Sequence, residues 1–399
     1  MLEPEAVIHF ENSKHGFDGG LVIDNTLLGP GSGGVRILPD VNEVELKILA
    51  KAMTRKNAFF NLPAGGAKAG IICHPQSRNR DKVISAFGAA VSDMIRRFRY
   101  VPSPDMGSTE SDIIGIYRQV GAESLLRNSI LLKTLNGIPL ARLSTAEGVV
   151  EAVIATVQIA NQRIKDCSVA IEGFGRLGSL IGVMLVEHGF KITAVSTAEE
   201  TLLQQTGINV HLLTKIQQQN GKVALQAYAK SSPSAEIGSS SLINDQPVDV
   251  LIPAARPLLI TKSNADKVQS NMIVPCANAP VDESAEKPLA ERGIIVVPDF
   301  ISNAGGVLGG FLCRLNVPIQ RLRSLVREEI RKGVTTVLKN SGNSTPGELA
   351  RQLVDEKLEF ARRHSFLSKL WIAWHWKTLL SRPSGISAVN WYARHRLNI

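Results

Sequence analysis

Residues 53–70 read Met-Thr-Arg-Lys-Asn-Ala-Phe-Phe-Asn-Leu-Pro-Ala-Gly-Gly-Ala-Lys-Ala-Gly and set two lysines, Lys56 and Lys68, on either side of a glycine-rich turn. Lys56 closes an expected helix whose apolar stripe runs Leu46, Leu49, Ala50 and Met53, so its ammonium is aimed at the interior. Lys68 follows Gly65 and Gly66, where backbone can approach a ligand closely, and precedes the apolar run Ile71-Ile72-Cys73. Burial and a neighbouring cation both disfavour the charged form, so a lysine in such a place has a lowered pKa and can serve as a base near pH 7. A lysine on an apolar stripe also occurs as a plain anchor whose head snorkels to water. A phosphate loop fits less well, because Ala69 and Gly70 follow Lys68 where that motif needs Ser or Thr and then a helix.

A second constellation begins at Ser168. Ser-Val-Ala-Ile-Glu-Gly-Phe-Gly-Arg-Leu-Gly is followed by an apolar helix-like stretch and then by Lys191-Ile-Thr-Ala-Val-Ser-Thr197. The order strand, glycine turn, helix, strand gives Gly173, Gly175 and Gly178, with Arg176 and Leu177 between them, the meaning of a dinucleotide fingerprint: a tight turn, backbone close to a pyrophosphate, and a helix N-terminus facing it. An acidic residue for the adenosine ribose belongs at the end of the second strand, yet Ser196 and Thr197 stand there, with Glu199 and Glu200 just beyond. No basic residue at that strand end welcomes a 2′-phosphate, so NAD leads over NADP.

These groups need elements to carry them, and the chain is long enough for two domains. Its 399 residues are 44% apolar and 20% charged, the make-up of an ordinary soluble protein. The acidic start Met1-Leu2-Glu3-Pro4-Glu5 is unlike a signal peptide, and no run of apolar residues is long enough to span a bilayer, so a cytoplasmic location is expected. Cys73, Cys167, Cys276 and Cys313 form no CxxC pair, which argues against a zinc site or a disulfide framework, and no metal is expected. The net charge of +9 sits mostly in the tail, since seven Lys/Arg and no Asp/Glu follow residue 360. That location disfavours nucleic acid as a partner. The same segment holds Trp371, Trp374, Trp376 and Trp391 beside Phe366, Leu367, Leu370 and Leu379. Such a basic amphipathic stretch could touch an anionic membrane, but docking on its own domain or a neighbouring subunit is the simpler reading. Ser144-Thr145-Ala146-Glu147 reads as a capping box that opens a helix at a domain edge. The runs ending at Pro253, Asn278 and Asp299 read as successive parallel strands separated by helical intervals.

Taken in order, Gly33-Gly34-Val35-Arg36, the Lys56 to Lys68 block, Pro104-Asp105-Met106-Gly107, Thr145, the glycine fingerprint, Cys276-Ala277-Asn278 and Asn303-Ala304-Gly305-Gly306-Val307 resemble the Glu/Leu/Phe/Val dehydrogenases, the amino-acid dehydrogenase superfamily, over roughly residues 20–360. The resemblance implies an α/β protein with an N-terminal substrate and oligomerisation domain over 1–143, a Rossmann-type NAD(P)-binding domain over 144–330, C-terminal helices over 331–364 that return to the cleft, and the basic Trp-rich tail at 365–399. It implies oxidative deamination of an L-amino acid to a 2-oxo acid and ammonia, in a homo-oligomer built through the N-terminal domain. Lys56 would hold the substrate α-carboxylate near Gly65 and Gly66, Lys68 would activate water, and Asp105 would shuttle a proton to and from the amino nitrogen. Thr145, Asn278 and Asn303 match positions near the nicotinamide.

Two departures bear on the substrate. In the glutamate enzymes of this family a lysine precedes the Gly-Gly of the first motif and a serine stands four residues after the last glycine of NAGG, and together they hold the side-chain carboxylate. Here those places are Ser32 and Gly310. Hydrogen bonds to a charged group contribute roughly 1.5–3 kcal/mol each, so the loss of both amounts to about 3–6 kcal/mol, on the order of 10² to 10⁴ in specificity. An apolar side chain is therefore expected in the substrate, with glutamate as the alternative. The Asp that commonly ends the second strand in the family is Thr197 here. A catalytically weak NAD(P)-binding regulatory or scaffold protein, using the tail as its contact surface, is the alternative of another class.

Overall fold

The computed structural model describes residues 3–12 and 17–364; the Trp-rich tail lies outside the described residues. By its internal contacts the chain forms two compact units. The first comprises Met1–Ala141 and Val307–Leu322 and takes up the chain again from Arg351; the second comprises Arg142–Gly306 and Arg323–Ala350.

In the first unit, strands β1 (Ala6–Asn12), β2 (Phe17–Asn25), β3 (Gly31–Leu38), β4 (Gly65–Ile72) and β5 (Tyr100–Pro104) form one sheet in the order β1-β2-β4-β3-β5. β3 runs parallel to β4 and β5, while β2 is antiparallel to both β1 and β4. Side chains alternate across the sheet. Leu21, Ile23, Val35, Ile37, Ala67 and Ile71 share one core with residues of the helices α2 (Arg80–Ala90), α3 (Ser92–Arg96) and α4 (Glu110–Gln119). On the other face Val22 packs with Leu46 and Ala50 of helix α1 (Glu43–Phe59). The side chain of Asn42 caps α1 by accepting the Glu45 N–H at 3.0 Å; Glu43 and Glu45 lie in its first turn and Lys56 in its last, the order of charge that a helix dipole favours.

Gly65 and Gly66 lie inside β4 and not in a turn, which corrects the sequence reading; the turn is Asn61–Ala64, with Asn61 at φ 55°. The reason is the closeness of α1. A Cβ at Gly66 would lie 2.3 Å from both Ala50 O and Thr54 N, so the strand must shed its side chain where the helix backbone crosses it. Gly66, Lys68 and Gly70 alternate with the core residues Ala67, Ala69 and Ile71, so Lys68 stands on the α1 face of the sheet.

A short hairpin, β6 (Thr134–Leu135) and β7 (Ile138–Pro139), leads into α5 (Leu140–Ile159). The second unit is then built from β8 (Ser168–Glu172), α6 (Arg176–Glu187), β9 (Lys191–Ser196), β10 (Glu200–Leu203), α7 (Val210–Asn220), α8 (Ala224–Ser231), β11 (Glu236–Ser239), β12 (Val250–Pro253), β13 (Met272–Ile273), α9 (Glu283–Glu291), β14 (Ile295–Val296) and α10 (Asp299–Ser302). Its seven-stranded sheet has the order β11-β10-β9-β8-β12-β13-β14. From β9 to β14 neighbours are parallel, and β10 with β11 adds an antiparallel edge. Strand order reverses beside β8, the switch point at which doubly wound sheets bind ligands. The interval between β12 and β13 holds only a 3-10 turn, Ala265–Lys267, where a longer helix was expected. Helices α11 (Gly305–Arg314), α12 (Ile319–Asn340) and α13 (Pro346–Arg363) complete the described chain.

The expected capping box at Ser144 is also corrected, because α5 already begins at Leu140, directly after Pro139. Glu147 does not turn back to the Ser144 backbone. Its Oε1 pairs instead with Arg323 Nη2 of α12 at 2.6 Å, and Arg331 reaches Glu151 at 2.5 Å, so the acidic side chains of α5 tie the two helices together.

Candidate active site

The α1 face of the first sheet gathers four charged side chains. Lys68 Nζ stands 2.8 Å from Asp105 Oδ2, Arg36 Nε donates to the same oxygen at 2.8 Å, and Arg36 Nη1 donates to Glu45 Oε1 at 2.5 Å. Lys68 and Arg36 are buried, and the side chains of Asp105 and Glu45 are 16% and 17% exposed. Asp105 follows β5 and is held by its own loop. Its N–H donates to Ser108 Oγ at 2.9 Å, and that hydroxyl donates to Val35 O at 2.7 Å, which ties the loop to β3. Gly107, at φ 78°, makes the bend, and a Cβ there would strike Ile37 O.

Burial lowers the Lys68 pKa; the Asp105 carboxylate opposes this and the Arg36 cation adds to the lowering. For Asp105 burial acts upward, but the charges and hydrogen bonds of Lys68 and Arg36 prevail and bring it down to about 2. The pair thus presents a lysine that gives up its proton more readily than usual and a carboxylate that stays ionised. Arg36 and Glu45 were not singled out from the sequence as members of this group. A signal existed for Arg36, since it stands two residues past Gly34 and so on the same strand face.

Gly34 is part of the same construction. A Cβ there would sit 2.7 Å from Asp105 Cβ and 3.2 Å from Lys68 Nζ. Gly34→Ala should leave the fold intact and reduce turnover on the order of 10- to 100-fold by displacing the carboxylate. A melting curve together with kcat tests this; an alanine variant with unchanged kcat would show that the close approach does not matter.

Lys56 is buried in the last turn of α1, Gly65 and Gly66 pair with the segment Asn25–Ser32, and Ser32 is half-buried on β3 opposite Gly66. Gly310 lies on α11, where an added Cβ would have one neighbour, Ile130 Cγ2 at 3.6 Å.

The second unit presents the glycine turn. Ser196 O accepts the N–H of Gly173 at 3.1 Å and of Phe174 at 2.7 Å, which locks the end of β8 against β9. Gly173 has φ 90°, and a Cβ there would come within 2.9 Å of Ala255 Cβ; a Cβ at Gly178 would strike Gly173 O at 2.2 Å, so helix α6 packs on the turn itself. Gly175 differs. It is the N-cap of α6, no side chain caps that helix end, and a Cβ there would meet nothing within 4 Å. Open space before uncapped helix N–H groups, with Arg176 exposed and Leu177 half-buried alongside, fits a dinucleotide pyrophosphate. Thr197 accepts the Glu199 and Glu200 N–H groups at 3.3 Å each and so forms the turn between β9 and β10. Glu200 is buried and accepts from Gln226 Nε2 at 2.9 Å, whereas Glu199 is exposed.

Asn303 is buried after α10, and its Nδ2 donates to Cys276 O at 3.1 Å, Ala277 O at 2.9 Å and Asn278 Oδ1 at 3.0 Å. The structure thus brings Asn303 and Asn278 together. Thr145 lies within α5, and a Cβ at Gly305 would be 2.0 Å from Ser144 O and 3.1 Å from Thr145 Cα, so the turn after Asn303 sits directly on this part of α5. Among the described residues no group of three or more His, Cys, Asp or Glu is placed to hold a metal ion, and no helix is long and apolar enough to cross a membrane.

A two-domain α/β chain with a Rossmann-type sheet, a dinucleotide turn in one unit and a buried lysine–aspartate pair in the other has the construction of a nicotinamide-linked dehydrogenase. The chain belongs to the Glu/Leu/Phe/Val dehydrogenases: the model of the Glutamate/Leucine/Phenylalanine/Valine dehydrogenase family matches residues 137–340, and that of the family's dimerisation domain matches residues 4–121. An NAD-specific glutamate dehydrogenase of Staphylococcus aureus is 31% identical over 290 residues, covering 71% of this chain and 68% of that protein. An NADP(+)-dependent glutamate dehydrogenase of Pyrobaculum calidifontis is 30% identical over 335 residues, covering 82% and 78%. The crystal structure of hetero-hexameric glutamate dehydrogenase from Thermus thermophilus, in its Leu-bound form, shares the fold with a TM-score of 0.76 at 22% identity, over 91% of this chain and 90% of that one. The protein is accordingly an oxidoreductase that acts on the CH–NH2 group of a donor with NAD or NADP as acceptor.

Proposed function

We propose that the protein catalyses the reversible oxidative deamination of an L-amino acid with an apolar side chain to a 2-oxo acid and ammonia. The observation that carries this reading is the buried Lys68 ammonium set against Asp105, a base and a proton carrier in contact. Lys56 holds the substrate α-carboxylate beside the side-chain-free backbone of Gly65 and Gly66. A bound nicotinamide dinucleotide supplies the acceptor for the hydride that leaves Cα. Gly173, Gly175, Arg176, Leu177 and Gly178 hold its pyrophosphate, Ser196 and Thr197 lie toward its ribose, and Thr145, Asn278 and Asn303 lie toward its nicotinamide. Exposed Glu199, beside Thr197, would repel a 2′-phosphate and favours NAD.

Lys68, as a neutral amine, takes a proton from the water that attacks the imine carbon, and the resulting ammonium stabilises the carbinolamine oxygen. The Asp105 carboxylate takes the proton that the substrate ammonium loses before the hydride departs, returns it to the nitrogen as ammonia leaves, and is ionised again at the end. Neither Ser32 nor Gly310 offers a cation to a substrate side chain, which supports an apolar one. Glutamate is the second reading, favoured by the names of the relatives at 30–31% identity.

The test is reduced-nicotinamide formation at alkaline pH with Glu, Leu, Val, Phe and Trp, each with NAD and with NADP. Turnover on an apolar amino acid and not on Glu is the expected result, and Glu as the preferred substrate overturns the side-chain assignment. Binding of a dinucleotide with no turnover on any of them would favour the regulatory reading. Light scattering on the same sample checks the proposed homo-oligomer, which the dimerisation-domain match at residues 4–121 supports.

A further inference from the structure

Arg36 and Glu45 are charges in the active-site group that the chemistry above does not use. The Arg36 guanidinium bridges the sheet and α1, with Nε on Asp105 Oδ2 at 2.8 Å and Nη1 on Glu45 Oε1 at 2.5 Å. Lys68 Nζ contacts that same Oδ2 at 2.8 Å. Two cations therefore share one carboxylate oxygen, and among the described residues no hydrogen bond reaches Oδ1.

This sharing solves an electrostatic problem. Lys68 is a base only as the neutral amine. If it were the sole partner of Asp105, removal of its proton would strand a carboxylate in a water-poor site, and the two groups would titrate as one unit that clings to its proton. A guanidinium does not lose its proton in a protein. Arg36 thus remains the counter-charge of Asp105 whether Lys68 is protonated or not.

We propose that Arg36, oriented by Glu45, is a positioning residue that allows Lys68 to become neutral while Asp105 stays anionic with Oδ1 turned to the substrate nitrogen. The proposal rests on the reading of Lys68 and Asp105 given above. The charged groups that act on Lys68 are Asp105 after β5, Arg36 from β3 and Glu45 on α1, while β2 places Val22 beside it. The Arg36 charge lowers the Lys68 pKa and the Glu45 charge raises it, so the two partners act on the base with opposite sign.

That opposition gives the test: kcat/KM against pH for wild type, Arg36→Gln, Glu45→Gln and Arg36→Lys. In Arg36→Gln the alkaline-activated limb should move up by about one pH unit, an approximately 10-fold loss on the acid side of the limb, with kcat falling more than KM changes. In Glu45→Gln the limb should move down. Arg36→Lys should bring the limb back toward wild type, because the charge is restored, without full recovery of kcat, because the two-pronged geometry is not. A limb that stays in place in both Gln variants, or moves the same way in both, overturns the proposal and leaves Arg36 and Glu45 as scaffold. Should Arg36→Gln fail to fold, the downward shift in Glu45→Gln decides alone. A wild-type profile whose limb survives in Lys68→Ala would overturn the base role of Lys68, and this proposal with it.

Discussion

Lys68→Ala will lose at least about 10²-fold in kcat, the scale of a missing general base, while dinucleotide affinity stays within a factor of about two. The fold should tolerate the change, because Arg36 still compensates the Asp105 charge and no buried carboxylate is left alone. A water that takes the place of the ammonium beside Gly34 has no amine to give its proton to. Kinetics on the preferred amino acid, with dinucleotide titration by calorimetry in parallel, separates the two effects. More than about one tenth of wild-type turnover would remove Lys68 from the role of base.

The second large effect concerns the choice of substrate. Ser32→Lys combined with Gly310→Ser should raise the kcat/KM ratio of Glu over an apolar amino acid on the order of 10²- to 10⁴-fold, since each restored hydrogen bond to a side-chain carboxylate is worth roughly 1.5–3 kcal/mol. The structure makes room for the change. At Gly310 an added Cβ has an ordinary van der Waals neighbour in Ile130, at 3.6 Å, and Ser32 is half-buried, so a lysine stem can leave the strand without entering the core. A glycine within α11 also carries an entropic cost that serine reduces, so the helix should not suffer. The single variants should each deliver part of the gain. A double variant whose ratio moves less than about threefold would mean that the substrate side chain does not run between these two positions.

Much of this protein is written in local stretches of its sequence. The strand, glycine turn and helix from Ser168 to Glu187 are legible because each function of the turn falls on a neighbouring residue: Gly173 takes a positive φ, Gly175 leaves open space, and Gly178 lets the helix rest on the turn. The membership of the chain in its family was legible for the same reason, as an ordered set of short motifs. Lys68 and Asp105 could each be named as candidates, but nothing in the sequence puts one against the other.

What only the tertiary structure decided lies wherever a local signal meets a distant partner. Gly65 and Gly66 look like a turn by composition, yet they are strand residues stripped of side chains by close neighbours: a Cβ at Gly65 would strike Asn25 O, and one at Gly66 the α1 backbone at Ala50 and Thr54. Ser144 to Glu147 has the spacing of a helix start, yet the helix is already running from Leu140, and the Glu147 carboxylate meets Arg323, 176 residues away, in place of the Ser144 backbone. Arg36 meets Asp105 across 69 residues, and the two cations on one oxygen arise from the parallel pairing of β3 with β4 and β5. Short-range sterics fixed the turns and the motif spacings; which charges would neutralise one another was settled by burial, since a charge removed from water must find its partner wherever the fold delivers it.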